Sequence, residues 1–146
     1  MPYIKVYLHV VFSTKYRLAH LNTPQLRRKV WFHIKDNSME NGIHIDYVNG
    51  YEDHSHCLIS MNSTHSISYI MQMIKGESAF WINESKLIKE LFEWQDGYFA
   101  VSVSQTDIPK VREYIKNQEE HHKNQSSEME FDEMILKHGF EKILED

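Results

Sequence analysis

The segment Tyr51-Glu52-Asp53-His54-Ser55-His56-Cys57-Leu58-Ile59-Ser60-Met61 decides how the chain is built. It reads as a strand whose alternate residues belong to different environments. On a pleated backbone, side chains two apart share a face, so His54 and His56 point the same way, with α-carbons roughly 6–7 Å apart. Two imidazoles at that separation can grip one metal ion from the same side. Ser55, Cys57, Ile59 and Met61 point the other way, toward a core. A tight turn at Glu52-Asp53 joins this strand to a preceding one over 43–51.

Working outward, residues 3–13 alternate as well. Ile4, Val6, Leu8, Val10 and Phe12 form a core face; Tyr3, Lys5, Tyr7, His9 and Val11 form a second face that is open yet used. Tyr7 and His9 suit the stacking of nucleic-acid bases, and equally suit half-buried sheet positions. Thr23-Pro24 opens a helix as N-cap and first helical residue. Leu26, Val30 and Ile34 form its buried stripe, and Asn41-Gly42 ends it. Arg27 and Arg28 fall off the stripe, toward solvent or a ligand. Ser66 caps a second helix whose buried side comprises Ile67, Ile70, Met71, Ile74 and Trp81.

Phe92-Glu93-Trp94 and Tyr98 to Val103 read as a strand pair around the Gln95-Asp96-Gly97 turn. Asp107 caps a third helix from about Ile108 to His122. A short amphipathic helix with Phe131, Met134, Ile135 and Leu136 follows, ended by Gly139. Strand, helix, strand, strand, helix, strand, helix is the order of an α+β, ferredoxin-like (RRM-like) antiparallel sheet with helices on one face. The remaining helix lies C-terminal to that body. The face left uncovered is where the histidines are expected.

The chain has 146 residues, enough for a single domain over 1–146. The sheet-and-helix body runs to about 104, the third helix covers 107–122, and residues 123–146 form an acidic tail. No apolar run reaches the ~20 residues of a membrane helix, and no signal-peptide pattern opens the chain. A lone Cys57 rules out an internal disulfide framework and fits a cytoplasmic protein. The formal charge is −5, yet residues 1–35 carry seven Lys or Arg and no acid. The acidic end supplies the whole deficit, leaving 1–125 neutral with a basic front. Local positive density, rather than the total, attracts phosphate, although clustered bases also serve simply as a solvated face.

In the third helix Tyr114 and Gln118 stand four apart and share a face. A phenol beside an amide oxygen, flanked by Arg112 and Lys116, suits a nucleophile and a third metal ligand among phosphate-attracting charges. A partly buried tyrosine next to an exposed glutamine fits the same pattern. His121 and His122 read as the solvated end of that helix.

At this point the sequence resembles the single-tyrosine HUH transposases of the insertion sequence 200-like group, relatives of the REP-associated tyrosine transposases. The resemblance covers about residues 1–142. It rests on Tyr7 to Lys15, Asn49-Gly50-Tyr51 leading into Asp53 to His56, Lys75-Gly76-Glu77-Ser78 and Trp81-Ile82-Asn83. It continues through Trp94-Gln95, Gly97 to Ser104, Tyr114 to His122, and Lys137-His138-Gly139-Phe140. The resemblance implies His54 and His56 as metal ligands, Gln118 as the remaining protein ligand, and Tyr114 as nucleophile on the C-terminal helix. It departs at Ser55, where the family usually has a bulky apolar residue.

It further implies a DNA transposase of a bacterial insertion sequence. Such an enzyme cleaves and rejoins single-stranded DNA through a covalent 5′-phosphotyrosine and recognises subterminal hairpins. A homodimer is implied too, with sites that can be shared between subunits through a hinge at Ser104 to Ile108. Two imidazoles and an amide oxygen suit Mg²⁺ or Mn²⁺. Candidate DNA contacts are Tyr7, His9, Lys15, Arg17, Arg27, Arg28, Lys29, Arg112 and Lys116. The alternative is a catalytically degenerate or host-adopted nucleic-acid-binding module of the same fold. A purely structural dimerisation domain would leave Tyr114, Gln118 and the basic front unexplained.

Overall fold

The computed structural model describes residues 2–140, so the last acids of the tail, from Glu141 on, lie outside the described residues. Four strands build one antiparallel sheet: β1 (Tyr7–Ser13), β2 (His44–Tyr51), β3 (His54–Ser60) and β4 (Phe99–Val103), in the order β2-β3-β1-β4. With α1 (Pro24–Glu40) after β1 and α2 (Ile67–Glu84) after β3, this is the ferredoxin-like arrangement. No helix among the described residues is long and apolar enough to cross a membrane.

The caps act as the sequence suggests. Thr23 accepts from the Leu26 amide at 3.1 Å and Ser66 from the Tyr69 amide at 3.1 Å, satisfying amide donors that the first helical turn leaves unpaired. The buried stripes of α1 and α2 pack under one sheet face against Leu8, Val10, Phe12, Cys57 and Ile59. Ser55 also faces this side, fully buried, with its hydroxyl 3.8 Å from the Cys57 sulfur. Burial pushes the Cys57 thiol up to about 12, which makes it packing rather than a nucleophile.

Several boundaries differ from the sequence reading. Tyr3, Ile4 and Val6 precede the sheet and are exposed, because β1 has neighbours only from Tyr7 onward. Phe92 to Trp94 is not a strand partner of β4. Trp94 makes one bridge to Thr14, and β4 pairs with β1 instead. Trp81 is only partly buried, stacked on His33 at 3.9 Å between ring centroids, while Ile82 takes the core position. Asp107 makes no side-chain cap; it closes a short 3-10 turn in which the Ser104 hydroxyl donates to its carboxylate at 3.0 Å.

The largest difference concerns the second face of the sheet. It is not open: α3 (Ile108–Lys116), α4 (Gln118–His121) and α5 (Ser127–Lys137) lie over it. Ile108 and Ile115 pack on Leu58 at one side, and Met134 packs on Val11 and Phe99 at the other. The helix expected to run unbroken to His122 ends at Lys116. There the Asn49 amide on β2 donates to the carbonyls of Ile115 and Lys116 at 3.0 and 3.1 Å, capping the chain before it restarts at Gln118.

Candidate active site

β3 is an interior strand, hydrogen-bonded to β2 and β1 on its two sides. That fixes the backbone of His54 and His56 rigidly, and Gly50 opposite Ser55 keeps it close. A Cβ at Gly50 would stand 2.1 Å from the His54 carbonyl oxygen. Strand parity places both imidazoles on the α3–α5 face, where His54 and His56 are 2% and 0% exposed. They are therefore buried beneath the C-terminal helices, not displayed on an open sheet.

Their inner nitrogens converge with groups from the C-terminal helices. His54 Nε2 lies 3.0 Å from Gln118 Oε1 and 3.2 Å from Glu130 Oε1. His56 Nε2 lies 3.1 Å from the same Glu130 oxygen. His122 joins them, its Nε2 3.2 Å from Gln118 Oε1 and 3.4 Å from Glu130 Oε1. The other Glu130 oxygen accepts the Tyr114 hydroxyl and, at 3.1 Å, the Gln118 amide. Tyr114 stands edge-on to His56, with centroids 5.6 Å apart, within one chain.

The outer nitrogens are tied as well. His54 Nδ1 donates to Asp53 Oδ1 at 2.9 Å, and the Ser127 hydroxyl donates to that same oxygen at 2.7 Å. His122 Nδ1 donates to the Gln125 carbonyl at 2.8 Å. His56 Nδ1 pairs with His9 Nε2 at 2.9 Å. A carbonyl or carboxylate oxygen has only lone pairs to offer, so an imidazole that donates outward and is neutral presents a bare lone pair inward. For neutral His54 and His122 this leaves only acceptors facing the Gln118 and Glu130 oxygens, whereas His56, whose outer neighbour is another imidazole, can turn an Nε2–H to Glu130. Such a set requires positive charge among its members, from protons or from a metal ion.

Without a metal, protons take that place. Burial lowers the basicity of His54, but hydrogen bonds to Asp53 and Glu130 outweigh it and raise the group to about 9. His56 and His9, dominated by burial and by neighbouring imidazoles, fall to about 4 and about 3. Burial works against an ionised Glu130, yet His122, His54 and His56 together hold it well below the usual carboxylate range. Burial, followed by the Glu130 carboxylate, pushes the Tyr114 phenol well above its ordinary value.

The donor set also fits a divalent ion. With metal–ligand bonds of ~2.1 Å, adjacent ligands at right angles stand ~3.0 Å apart and tetrahedral ones ~3.4 Å. The contacts among His54, His56, His122, Gln118 and Glu130 span 3.0 to 3.4 Å. His54, His122 and Glu130 alone bring three ligand atoms within 4.8 Å of one another. Imidazoles anchored through their other nitrogen to a carboxylate or carbonyl are the usual supports of a metal ligand.

The sequence-derived candidates thus divide. His54, His56, Gln118 and Tyr114 come together. His9 is buried against His56 rather than free to stack, and Tyr7 belongs to the apolar cluster under α3. Arg27 does not reach toward solvent. It is buried, donating to the Leu21 carbonyl at 2.7 Å and to Glu119 at 2.9 Å over the Tyr51 ring. Lys15 pairs with Glu93, Arg112 with Asp46, and Arg17 lies against Phe131. Arg28, Lys29 and Lys116 are exposed. Sequence reading missed His122 and Glu130. The first was accessible, since Tyr114, Gln118 and His122 step by four residues; the second comes from a separate helix.

A ferredoxin-like sheet carrying this imidazole–carboxylate cluster beside a phenol defines an α+β protein with a candidate metal-assisted centre. The chain belongs to the IS200-like transposase family: the family described as Transposase IS200 like matches residues 3–118. The fold is similar to that of a protein assigned as a transposase from Deinococcus radiodurans R1. The two share 23% identity and a TM-score of 0.64, over 80% of this chain and 93% of that one. It is also similar to a REP-associated tyrosine transposase solved bound to a REP hairpin. There the identity is 18% and the TM-score 0.60, over 84% of this chain and 72% of the other. A comparison with curated proteins finds no match.

Proposed function

We propose that this transposase nicks and rejoins single-stranded DNA through a covalent 5′-phosphotyrosine formed on Tyr114. The observation that carries the reading is the meeting, within one chain, of the Tyr114 phenol with the convergent His54, His56 and Gln118 donors. His54, His56 and Gln118 would hold a divalent ion. When bound, the ion draws charge from the scissile phosphate and orients it for in-line attack. The imidazole-rich donor set suits Mn²⁺ better than Mg²⁺.

In the cleavage step the Tyr114 oxygen bonds to phosphorus and the bond from phosphorus to the 3′ oxygen breaks. The phenol gives up one proton and the departing 3′ oxygen gains one, so the products are a phosphotyrosine ester and a free 3′-hydroxyl. The ester retains the bond energy, and a 3′-hydroxyl from another strand reverses the step, without a nucleotide cofactor. The hairpin on the REP-associated relative supports hairpin ends as the substrate feature. Arg28, Lys29 and Lys116 are exposed and open to phosphates. A homodimer sharing sites is not needed for this chemistry, because one chain supplies every group it uses.

The test is incubation of the full chain with a labelled single-stranded hairpin oligonucleotide and Mn²⁺, followed by a denaturing gel. The native protein is expected to give a covalent shifted band, and Tyr114→Phe to give none while still binding the hairpin. An adduct formed by Tyr114→Phe, or none by the native protein on any hairpin substrate, would refute the reading.

A further inference from the structure

Glu130 lies beyond residues 3–118, the part of the chain that matches the family, and on a helix of its own. Nevertheless it is 3% exposed and touches every group of the proposed reaction centre. One of its oxygens faces the inner nitrogens of His54, His56 and His122 at 3.2, 3.1 and 3.4 Å. The other accepts the Tyr114 hydroxyl. The α5 helix that carries it is also held by the Ser127 hydroxyl donating to Asp53, by Met134 and Phe131 resting on Val11 and Phe99, and by Arg17 lying over the Phe131 ring.

From this geometry we infer that the Glu130 carboxylate is itself a ligand of the metal ion, so that ion binding and the docking of α5 on the sheet are a single event. The inference rests on the metal centre proposed above and adds a donor to it. Its basis is the spacing of the donors: the Glu130 oxygen sits at polyhedron-edge distances from the nitrogens of His54, His56 and His122, the first and last of which are anchored behind by a carboxylate and a carbonyl. A buried carboxylate facing these nitrogens needs a positive partner, either a proton on an imidazole or a metal ion, and the ion is the one partner able to join all of them at once. Any ion held there therefore pulls on α5 through Glu130. Without an ion, α5 keeps the hydrogen bonds of Ser127 and Glu130 and its apolar contacts with Val11 and Phe99. The consequence reaches the nucleophile, because the carboxylate that binds the ion also holds the Tyr114 hydroxyl. Seating α5 thus aligns the phenol beside the centre.

The experiment uses the full chain and Mn²⁺ alone, without DNA. Mn²⁺ is titrated calorimetrically into the native protein and into Glu130→Gln, which keeps the side chain's shape and removes its charge. In parallel, amide hydrogen exchange of residues 127–137 is followed with and without Mn²⁺. The variant is expected to bind Mn²⁺ at least ~10-fold more weakly, given that loss of a mere supporting group already costs that much. Exchange in residues 127–137 is expected to slow on adding Mn²⁺ in the native protein but not in the variant.

Equal affinities would overturn the inference, and so would α5 exchange in the native protein that ignores Mn²⁺. Tighter binding by the variant, with α5 loosened by the ion, would show Glu130 to be a competitor of the metal and would overturn it too. The native exchange measurement needs no substitution, so it decides even if Glu130→Gln fails to fold. Because no DNA is present, the outcome is separate from that of the covalent-adduct assay. An adduct can form with Glu130 uninvolved, and Mn²⁺ can bind through Glu130 in a protein that cuts nothing.

Discussion

Asp53 and His54 are neighbours in sequence, and their side chains act in series: the Asp53 carboxylate accepts from the outer nitrogen of His54 at 2.9 Å, leaving the inner nitrogen to face Gln118 and Glu130. The turn between β2 and β3 makes this possible by placing the carboxylate behind the ring. Asp53 never reaches the centre, yet it sets which nitrogen does. Asp53→Asn is expected to lower Mn²⁺ affinity ~10- to 100-fold, with the circular dichroism spectrum unchanged. Calorimetric titration measures the first and spectroscopy the second.

Gly50 protects the same strand by lacking a side chain. An added Cβ would come within 2.1 Å of the His54 carbonyl oxygen, a backbone atom pinned in the sheet and unable to give way. Gly50→Ala is therefore expected to destabilise the protein by about 2–3 kcal/mol, read as a lower midpoint in urea unfolding. The loss should already appear without metal, since the clash is with the sheet backbone.

Much of the fold was legible because it follows from short-range rules. Period-two alternation in β1 and β3 and the Thr23 and Ser66 caps each rest on residues within a few positions of one another, and the structure keeps all of them. What was not legible depends on distant partners. Nothing near Phe92 or Trp94 says that Thr14 will be the bridge partner, and nothing near Arg27 announces Glu119 from α4. The covering of the second sheet face escaped for the same reason. An acidic tail with a short amphipathic helix does not announce that Glu130 will meet three imidazoles, two of them more than seventy residues away and the third, His122, just past the end of α4. Strand parity, by contrast, was enough to put His54 and His56 on one face, while their reading as metal ligands came with the family resemblance.

The basic front separates into two kinds of arginine, which substitution distinguishes. Arg27 is a buried structural donor, so Arg27→Met is expected to cost about 1–3 kcal/mol of stability by leaving the Leu21 carbonyl without its partner. Arg28→Ala with Lys29→Ala removes exposed charges and is expected to leave the melting temperature unchanged. The double variant should instead weaken hairpin binding and flatten its dependence on salt by about two phosphate contacts. Thermal melts and binding isotherms at several salt concentrations resolve the two cases.

The metal-free protein should show a peaked stability profile with pH. His54, raised to about 9, stabilises fully below its unfolded value of about 6.5 and loses that contribution as pH climbs through 9. His56 and His9, lowered to about 4 and about 3, act oppositely: the unfolded chain takes up protons below about 6.5 that they refuse, so stability falls with acid. Melting temperatures in EDTA across pH 4 to 10 should therefore peak at about 6.5. Saturating Mn²⁺ should remove the alkaline decline by replacing the proton on His54.

The apolar layer beneath the sheet, built on Val10, Phe12, Cys57 and Ile59, shares no side chain with the polar chamber above it. Tyr114, only partly buried at the edge of that chamber, can therefore be lost with less harm to the fold than the fully buried His54 and His56. A descendant of this gene in which Tyr114 had decayed would inherit that lower layer intact, free to be kept by its host for some quieter task.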